Sequence, residues 1–233
     1  MKAIRFTEAN GGVEAWWNAK LGKITGSRLK NVITLSGSTI KPDAWRLVAE
    51  RLIGSAAIAE DFESKERAMQ RGTRLEKEAL ARFSKETGKK VETEYGTFIK
   101  GELDATVTGK IFWMRDDDES IAVSPDGAIG KTAAVEVKCL NAGSHIEAKV
   151  TGVIPNDGYR EQALQEFIVN EKLGTLYFVF YDPRFLEPGL DFFYITIKRQ
   201  EVSQYLKADI EEYLEYQKLT LAWVRDTVVK LTT

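Results

Sequence analysis

The chain has one cysteine, Cys139, and one histidine, His145, among 233 residues. A lone thiol excludes an intrachain disulfide. Together the two exclude zinc sites built from several Cys or His ligands, and cysteine-held iron–sulfur clusters. Any bound metal must be held mainly by oxygen, which points to Mg²⁺ or Mn²⁺. Proline is scarce, at five residues, and no Pro/Gly/Ser-rich linker, low-complexity stretch or internal repeat divides the chain. No run of about 18 apolar residues offers a membrane span. The opening MKAIRFTEANGG lacks the apolar core of a secretion signal, so the expectation is a soluble protein of the cytoplasm.

What is present suits one domain with a substantial core: 43% of residues are hydrophobic and 10% aromatic. A formal net charge of −2 argues against a protein that coats nucleic acid nonspecifically. Acidic residues are nevertheless missing from Ala15 to Pro42, where Lys20, Lys23, Arg28, Lys30 and Lys41 all fall. A confined phosphate site needs such a segment, and so does an ordinary solvated helix face.

The pattern of elements is α-rich first and mixed afterwards. AWWNAKLGKITGSRLKNVI reads as helix broken around Gly22 to Ser27, with Thr25 and Ser27 as candidate caps. KPDAWRLVAERLIG is punctuated by Pro42 and Gly54 as a helix should be. A longer helix is expected from Ser64 to Thr87, with a buried stripe of Ala68, Gly72, Leu75, Ala79, Leu80 and Phe83. Strands are expected at Tyr95–Ile99, Lys110–Met114, Ile121–Val123, Ala133–Leu140 and in TLYFVFYD and LDFFYITIK. The acidic run Asp116, Asp117, Asp118 and Glu119 reads as a solvated turn. Helices should cover Asp157 to Gly174 and Gln200 to about Val229. The sum is one α/β domain: a helical part at 1–90, a mixed central sheet flanked by helices at 91–199, and a C-terminal helix at 200–229.

Three places carry candidate chemistry. In VSPDGAIGKTAAVEVKC, a strand of period two sends Val135, Val137 and Cys139 to one face, and Glu136 with Lys138 to the other. Gly127 and Gly130 allow the chain to fold back so that Asp126 meets that pair. Glu76 lies on or beside the inward face of the long helix. There a carboxylate is costly unless paired, protonated or bound to a cation; bridges to Arg71, Lys77 or a neighbouring strand are the alternative. Gln162, Gln165 and Glu166 share one helix face and by themselves read as helix surface.

Asp126 followed by Glu136-Val137-Lys138 resembles the D…(D/E)-x-K pattern of the PD-(D/E)XK nucleases. The resemblance extends to the family of phage lambda exonuclease and YqaJ-type viral recombinases. KLGKITGS, RGTRLEKEALARF, SPDG, EVKC, YREQ and YDPRFLEPGL occur in the same order as similar segments there, from about Trp16 to Arg199. The resemblance implies a restriction-endonuclease-like core. It implies that Asp126, Glu136, the backbone carbonyl of Val137, and Glu76 hold Mg²⁺ (or Mn²⁺), two ions per site. Lys138 would orient the attacking water or offset developing charge, and Gln162 would hold the nucleophile or position Lys138. Lys20, Ser27 and the backbone near Ser124 fall where the family binds a 5′-terminal phosphate, with Arg28 as an alternative anchor. Lys20 stands where arginine is usual, and lysine offers charge without a bidentate fork.

The implied activity is Mg²⁺-dependent 5′-to-3′ exonuclease action on double-stranded DNA ends. It would release mononucleotides and leave a 3′ single-stranded tail for phage-type recombination by annealing. A ring-shaped homotrimer and a single-strand annealing protein of the same phage or prophage are implied as partners. The alternatives are a structure- or site-specific endonuclease on the same core, and a non-catalytic DNA-end-binding module. Cys139 reads as a small buried hydrophobe, His145 as non-catalytic, and Trp16 and Trp17 as core or interface.

Overall fold

A computed structural model describes residues 1–32, 41–54 and 66–233. Its strands are β1 (Lys2–Phe6), β2 (Val91–Thr93), β3 (Gly96–Ile99), β4 (Glu102–Asp104), β5 (Lys110–Met114), β6 (Ala122–Val123), β7 (Gly127–Ile129), β8 (Ala133–Lys138), β9 (Thr175–Tyr181) and β10 (Phe192–Lys198). Its helices are α1 (Gly12–Ala19), α2 (Leu29–Val32), α3 (Pro42–Ile53), α4 (Glu66–Thr87), α5 (Ala142–Thr151), α6 (Asp157–Val169), α7 (Val202–Leu206) and α8 (Ile210–Thr232). Ser64 lies outside the described residues, and so do the side chains of Ala68 and Gly72.

The strands form a seven-stranded sheet, ordered β10-β9-β8-β7-β2-β3-β4, and a three-stranded sheet, β1-β5-β6. In the larger sheet only β8 and β9 run parallel. The connection between them carries α5 and α6, as a parallel crossover requires. A hairpin joins β7 to β8, with Gly130 at φ +60 in its turn, a conformation that costs a side-chain-bearing residue strain.

The alternation in β8 sets the architecture. Val135 and Val137 pack with Ala79, Leu80 and Phe83 of α4 on one face. Ala134 packs with Ala163, Leu164 and Phe167 of α6 in the larger core. Each large apolar side chain withdrawn from water contributes about 1.5–3 kcal/mol, so both faces are firmly covered. Glu136 and Lys138 therefore point beneath α6 and not into solvent, and Glu136 is fully buried.

Several boundaries differ from expectation. Lys2–Phe6 is a strand paired antiparallel to β5, so the N-terminal part is not wholly helical. Helix α6 stops at Val169, five residues short of Gly174. There the Asn170 amide donates to the Lys131 carbonyl at 3.1 Å, and its oxygen accepts from the Lys172 N–H at 3.1 Å. The C-terminal helix is broken where Lys207 takes φ 51, and it restarts with the Asp209 carboxylate capping the N–H groups of Glu211 and Glu212. Strands β2, β4 and β7 and helix α5 were not expected. Cys139 is half-buried, at the edge of the α4 core and not within it.

The acidic run is a turn, and it is tied down by charge. Asp116 pairs with the N-terminal ammonium and Glu119 with Lys2; Asp117 meets Arg115 and Lys218, and Asp118 meets Arg225. The turn thus joins the first strand to the last helix.

Candidate active site

A cleft of about 190 Å³ opens where the two sheets, α1, α4 and α6 meet. Its lining includes Glu76, Asp126 and Gln162, and also Lys20, Ser27 and Ser124. Glu136 and Lys138 lie next to this lining, on the β8 face beneath α6.

Asp126 immediately precedes β7, and its Oδ2 accepts the Val137 N–H at 2.8 Å. That bond locks the aspartate to the strand carrying Glu136 and Lys138. The Lys138 ammonium donates to Glu136 Oε1. Glu136 Oε2 is buried and has no hydrogen-bond partner among the described residues. Glu76 is half-buried on α4 and accepts from the Tyr95 hydroxyl at 3.4 Å.

Electrostatics mark this corner as crowded with acid. Burial pushes Glu76 up to about 9, with the Asp126 charge adding to it. Glu136 is pushed up to about 7 by burial and Asp126, while Lys138 and the Gln162 amide pull it back. Asp126 is also raised by burial, against the pull of Lys138 and the Val137 N–H. For Lys138, burial acts downward, but Glu136 and Asp126 outweigh it and hold the amine above its ordinary value.

Glu166, read from sequence as helix surface, is fully buried one turn beyond Gln162, and neither of its oxygens has a partner among the described residues. Burial raises its pKa well above the usual range, and the Glu136 and Asp126 charges raise it further. Its spacing of four from Gln162 was the available signal. Gln165 is buried too, exchanging amide bonds of 3.0 Å with Gln217 of α8.

These acids suit a divalent cation: they are hard oxygen donors, two of them, Glu136 and Glu166, with buried oxygens that lack partners among the described residues, in surroundings where their charges repel. Among the described residues, no three Asp, Glu, His or Cys side chains are placed as a ready metal cage. Glu136 Oε1 accepts from Lys138 and Asp126 Oδ2 from the Val137 N–H, so a cation bound there would share these oxygens with protein donors.

The cationic wall of the cleft centres on Lys20, whose Nζ sits 3.2 Å from the Trp16 ring centroid. Burial lowers Lys20 to about 7, with Lys110 and Arg28 adding to the effect. Trp16 donates its indole N–H to Ser124 Oγ at 3.1 Å, and Ser124 donates to the Ile111 carbonyl at 2.6 Å. The Ser124 hydroxyl is thus engaged by protein, and Trp16 is part of the cleft wall. Arg28 does not line the cleft. It forms a two-pronged pair with the buried Glu50, at 2.7 and 2.8 Å. Lys23 and Lys41 bond the carbonyls of Glu119 and Lys30. Lys110 and Glu94, which sequence reasoning passed over, also line the cleft.

His145 is a core residue. Its Nε2 lies 2.6 Å from the Leu190 carbonyl and its ring stacks on Phe185, which secures the YDPRFLEPGL loop.

Residues 15–172 match the YqaJ-like viral recombinase domain. The chain belongs to this family. Among solved structures it is similar to an alkaline exonuclease, LHK-Exo, from Laribacter hongkongensis. The identity is 27% and the TM-score 0.62, over 94% of this chain and 100% of that one. LHK-Exo in complex with dAMP gives the same identity and coverage, with a TM-score of 0.63. A phage related exonuclease from Haemophilus somnus 129PT shares the fold at 14% identity and a TM-score of 0.50, covering 86% of this chain and 95% of that one. A search of curated proteins gives no match. The mixed sheet with its flanking helices is the PD-(D/E)XK fold of these exonucleases. Family membership and these likenesses support a phage-type exonuclease for this YqaJ-like chain. No helix among the described residues is long and apolar enough to cross a membrane.

Proposed function

We propose that the chain is a divalent-metal-dependent exonuclease that degrades one strand of duplex DNA from a 5′-phosphorylated end. The observation that carries this is the single cleft lined by acids, Glu76 and Asp126, together with Lys20 and Ser27. The pair Glu136 and Lys138 lies against Asp126. LHK-Exo, which is similar to this chain, forms a complex with dAMP, a deoxynucleoside monophosphate of the product class expected here.

Hydrolysis joins a water oxygen to phosphorus and breaks the bond to the 3′ oxygen of the terminal nucleotide. A mononucleotide leaves, and the shortened strand carries a new 5′ phosphate. Asp126, Glu136, the Val137 carbonyl and Glu76 are the ligands assigned to Mg²⁺, two ions per site, with Mn²⁺ as substitute. When bound, the cations supply Lewis acidity and lower the pKa of water. Lys138, which donates to Glu136 and whose charged form Glu136 and Asp126 favour, donates a hydrogen bond and offsets charge building on the phosphoryl oxygens. Gln162, whose amide acts on Glu136, orients that pair. Lys20, Ser27 and the Ser124 backbone seat the terminal phosphate. Each cycle recreates that phosphate, so the product end can reoccupy the same corner.

The 3′ tail left behind suits recombination by annealing, with a single-strand annealing protein as partner. A homotrimer, a single catalytic domain and a cytoplasmic setting complete the proposal. Linear duplex with a 5′ phosphate or 5′ hydroxyl, and closed circular duplex, are incubated with Mg²⁺ or chelator. Mononucleotide release from the phosphorylated strand, absent with chelator and on circles, is expected. Cutting of circles would favour an endonuclease, and release unaffected by chelator would remove the metal site.

A further inference from the structure

Lys110 and Glu94 line the cleft and have no part in the reaction as described. Lys110 Nζ lies 2.5 Å from Glu94 Oε2 and 5.0 Å from the Trp16 ring centroid. Lys20 contacts the same ring, so the amines of two lysines meet at one indole. Lys110 is the foremost charge acting on Lys20, after burial, in lowering its pKa. It also acts on the carboxylates of Glu76 and Asp126. Lys110 therefore shares the cleft with both Lys20 and the acids Glu76 and Asp126.

Its position is built, not incidental. Lys110 opens β5 opposite Phe6. Gly109 before it has φ +122, and a Cβ there would fall 2.2 Å from the Phe6 carbonyl oxygen, so only glycine fits. The Gly109 N–H donates to the Glu94 carbonyl at 2.8 Å. The Arg5 guanidinium donates to the carbonyls of Thr93 and Gly109 at 2.7 and 3.2 Å. The segments carrying Glu94 and Lys110 are thus tied by backbone bonds, which leaves their side chains aimed at the cleft.

Two neighbouring ammonium groups repel unless an anion lies between them. A terminal phosphate carries about −1.5 to −2 charges, more than the single charge of a phosphodiester. A pair of cations therefore favours an end over the interior of a strand. We propose that Lys110 is a second anchor for the 5′-terminal phosphate beside Lys20, and that Glu94 holds its ammonium in place until the phosphate takes over. This rests on the 5′-end reading given above.

The test is equilibrium binding of the full chain, in chelator, to a fluorescent duplex hairpin ending in 5′ phosphate or 5′ hydroxyl. For the parent, tighter binding of the phosphorylated end is expected. Lys110→Ala should weaken that binding about tenfold and leave the hydroxyl end within about twofold, whereas Lys110→Arg should keep most of the preference. Glu94→Gln should bind the phosphorylated end at least as tightly as the parent. Thermal melting of each variant checks that it is folded. If the parent discriminates and Lys110→Ala discriminates equally, or if Lys110→Ala loses both ends alike, Lys110 is no phosphate anchor. If the parent itself does not discriminate, the 5′-phosphate reading fails first and this proposal falls with it.

Discussion

Glu136 and Lys138 sit two residues apart on one strand, with carboxylate and ammonium bonded to each other beneath α6. The pair is almost wholly out of water, at 1% and 15% side-chain exposure. An ion pair so placed is costly to form, and breaking it is costlier still.

Lys138→Ala is therefore expected to do two things. Nucleotide release should fall by about 100-fold or more, the scale of losing a donor aimed at developing charge. Stability in chelator should drop by about 3 kcal/mol, because a buried carboxylate is left unpaired. Denaturant titration beside a release assay separates the two effects.

Asp126→Ala should abolish metal-dependent release, by at least about 100-fold, while far-ultraviolet circular dichroism stays native. Calorimetric titration with Mn²⁺ should show weakened binding. Unchanged Mn²⁺ affinity would remove Asp126 from the ligand set.

The crowded acids link stability to pH. Glu76, Glu136 and Glu166 have native pKa values above their unfolded ones, to about 9, about 7 and well above the usual range. The native state then binds more protons than the unfolded state. Their stabilising contribution is full below about pH 4 and is lost as pH rises through 7 to 9. Glu166→Gln should accordingly melt higher than the parent at pH 9 in chelator and equally at pH 4. A lower melting temperature at pH 9 would mean that Glu166 has a partner there.

Arg28 and Lys20 should separate cleanly. Arg28→Ala strands the buried Glu50, although Arg46 also reaches it at 3.1 Å, so a loss of about 2–3 kcal/mol is expected. Lys20→Ala should leave the melting temperature nearly unchanged and reduce the preference for a 5′-phosphorylated end. Equal stability of the two variants would contradict the assignment.

Much of this molecule was legible beforehand. Strand β5 and helix α3 begin where the sequence pattern places them, because period and punctuation are local properties. The D…E-x-K spacing likewise told which side chains share a face of β8. Short strands such as β2 and β7, three residues each, leave no period to read. At the end of α6 the carbonyls of Phe167 and Asn170 accept from Arg199, thirty residues beyond Val169, a contact no local pattern shows.

The residues' order alone determined the family and the acids and amine that share one strand and one turn. Only the tertiary structure decided that Glu136 and Glu166 are buried, that Arg28 belongs to Glu50, and that Lys110 and Lys20 approach the same indole. The reason is physical. Spacing along a strand or helix fixes direction, while burial and charge depend on what distant segments lay against that direction.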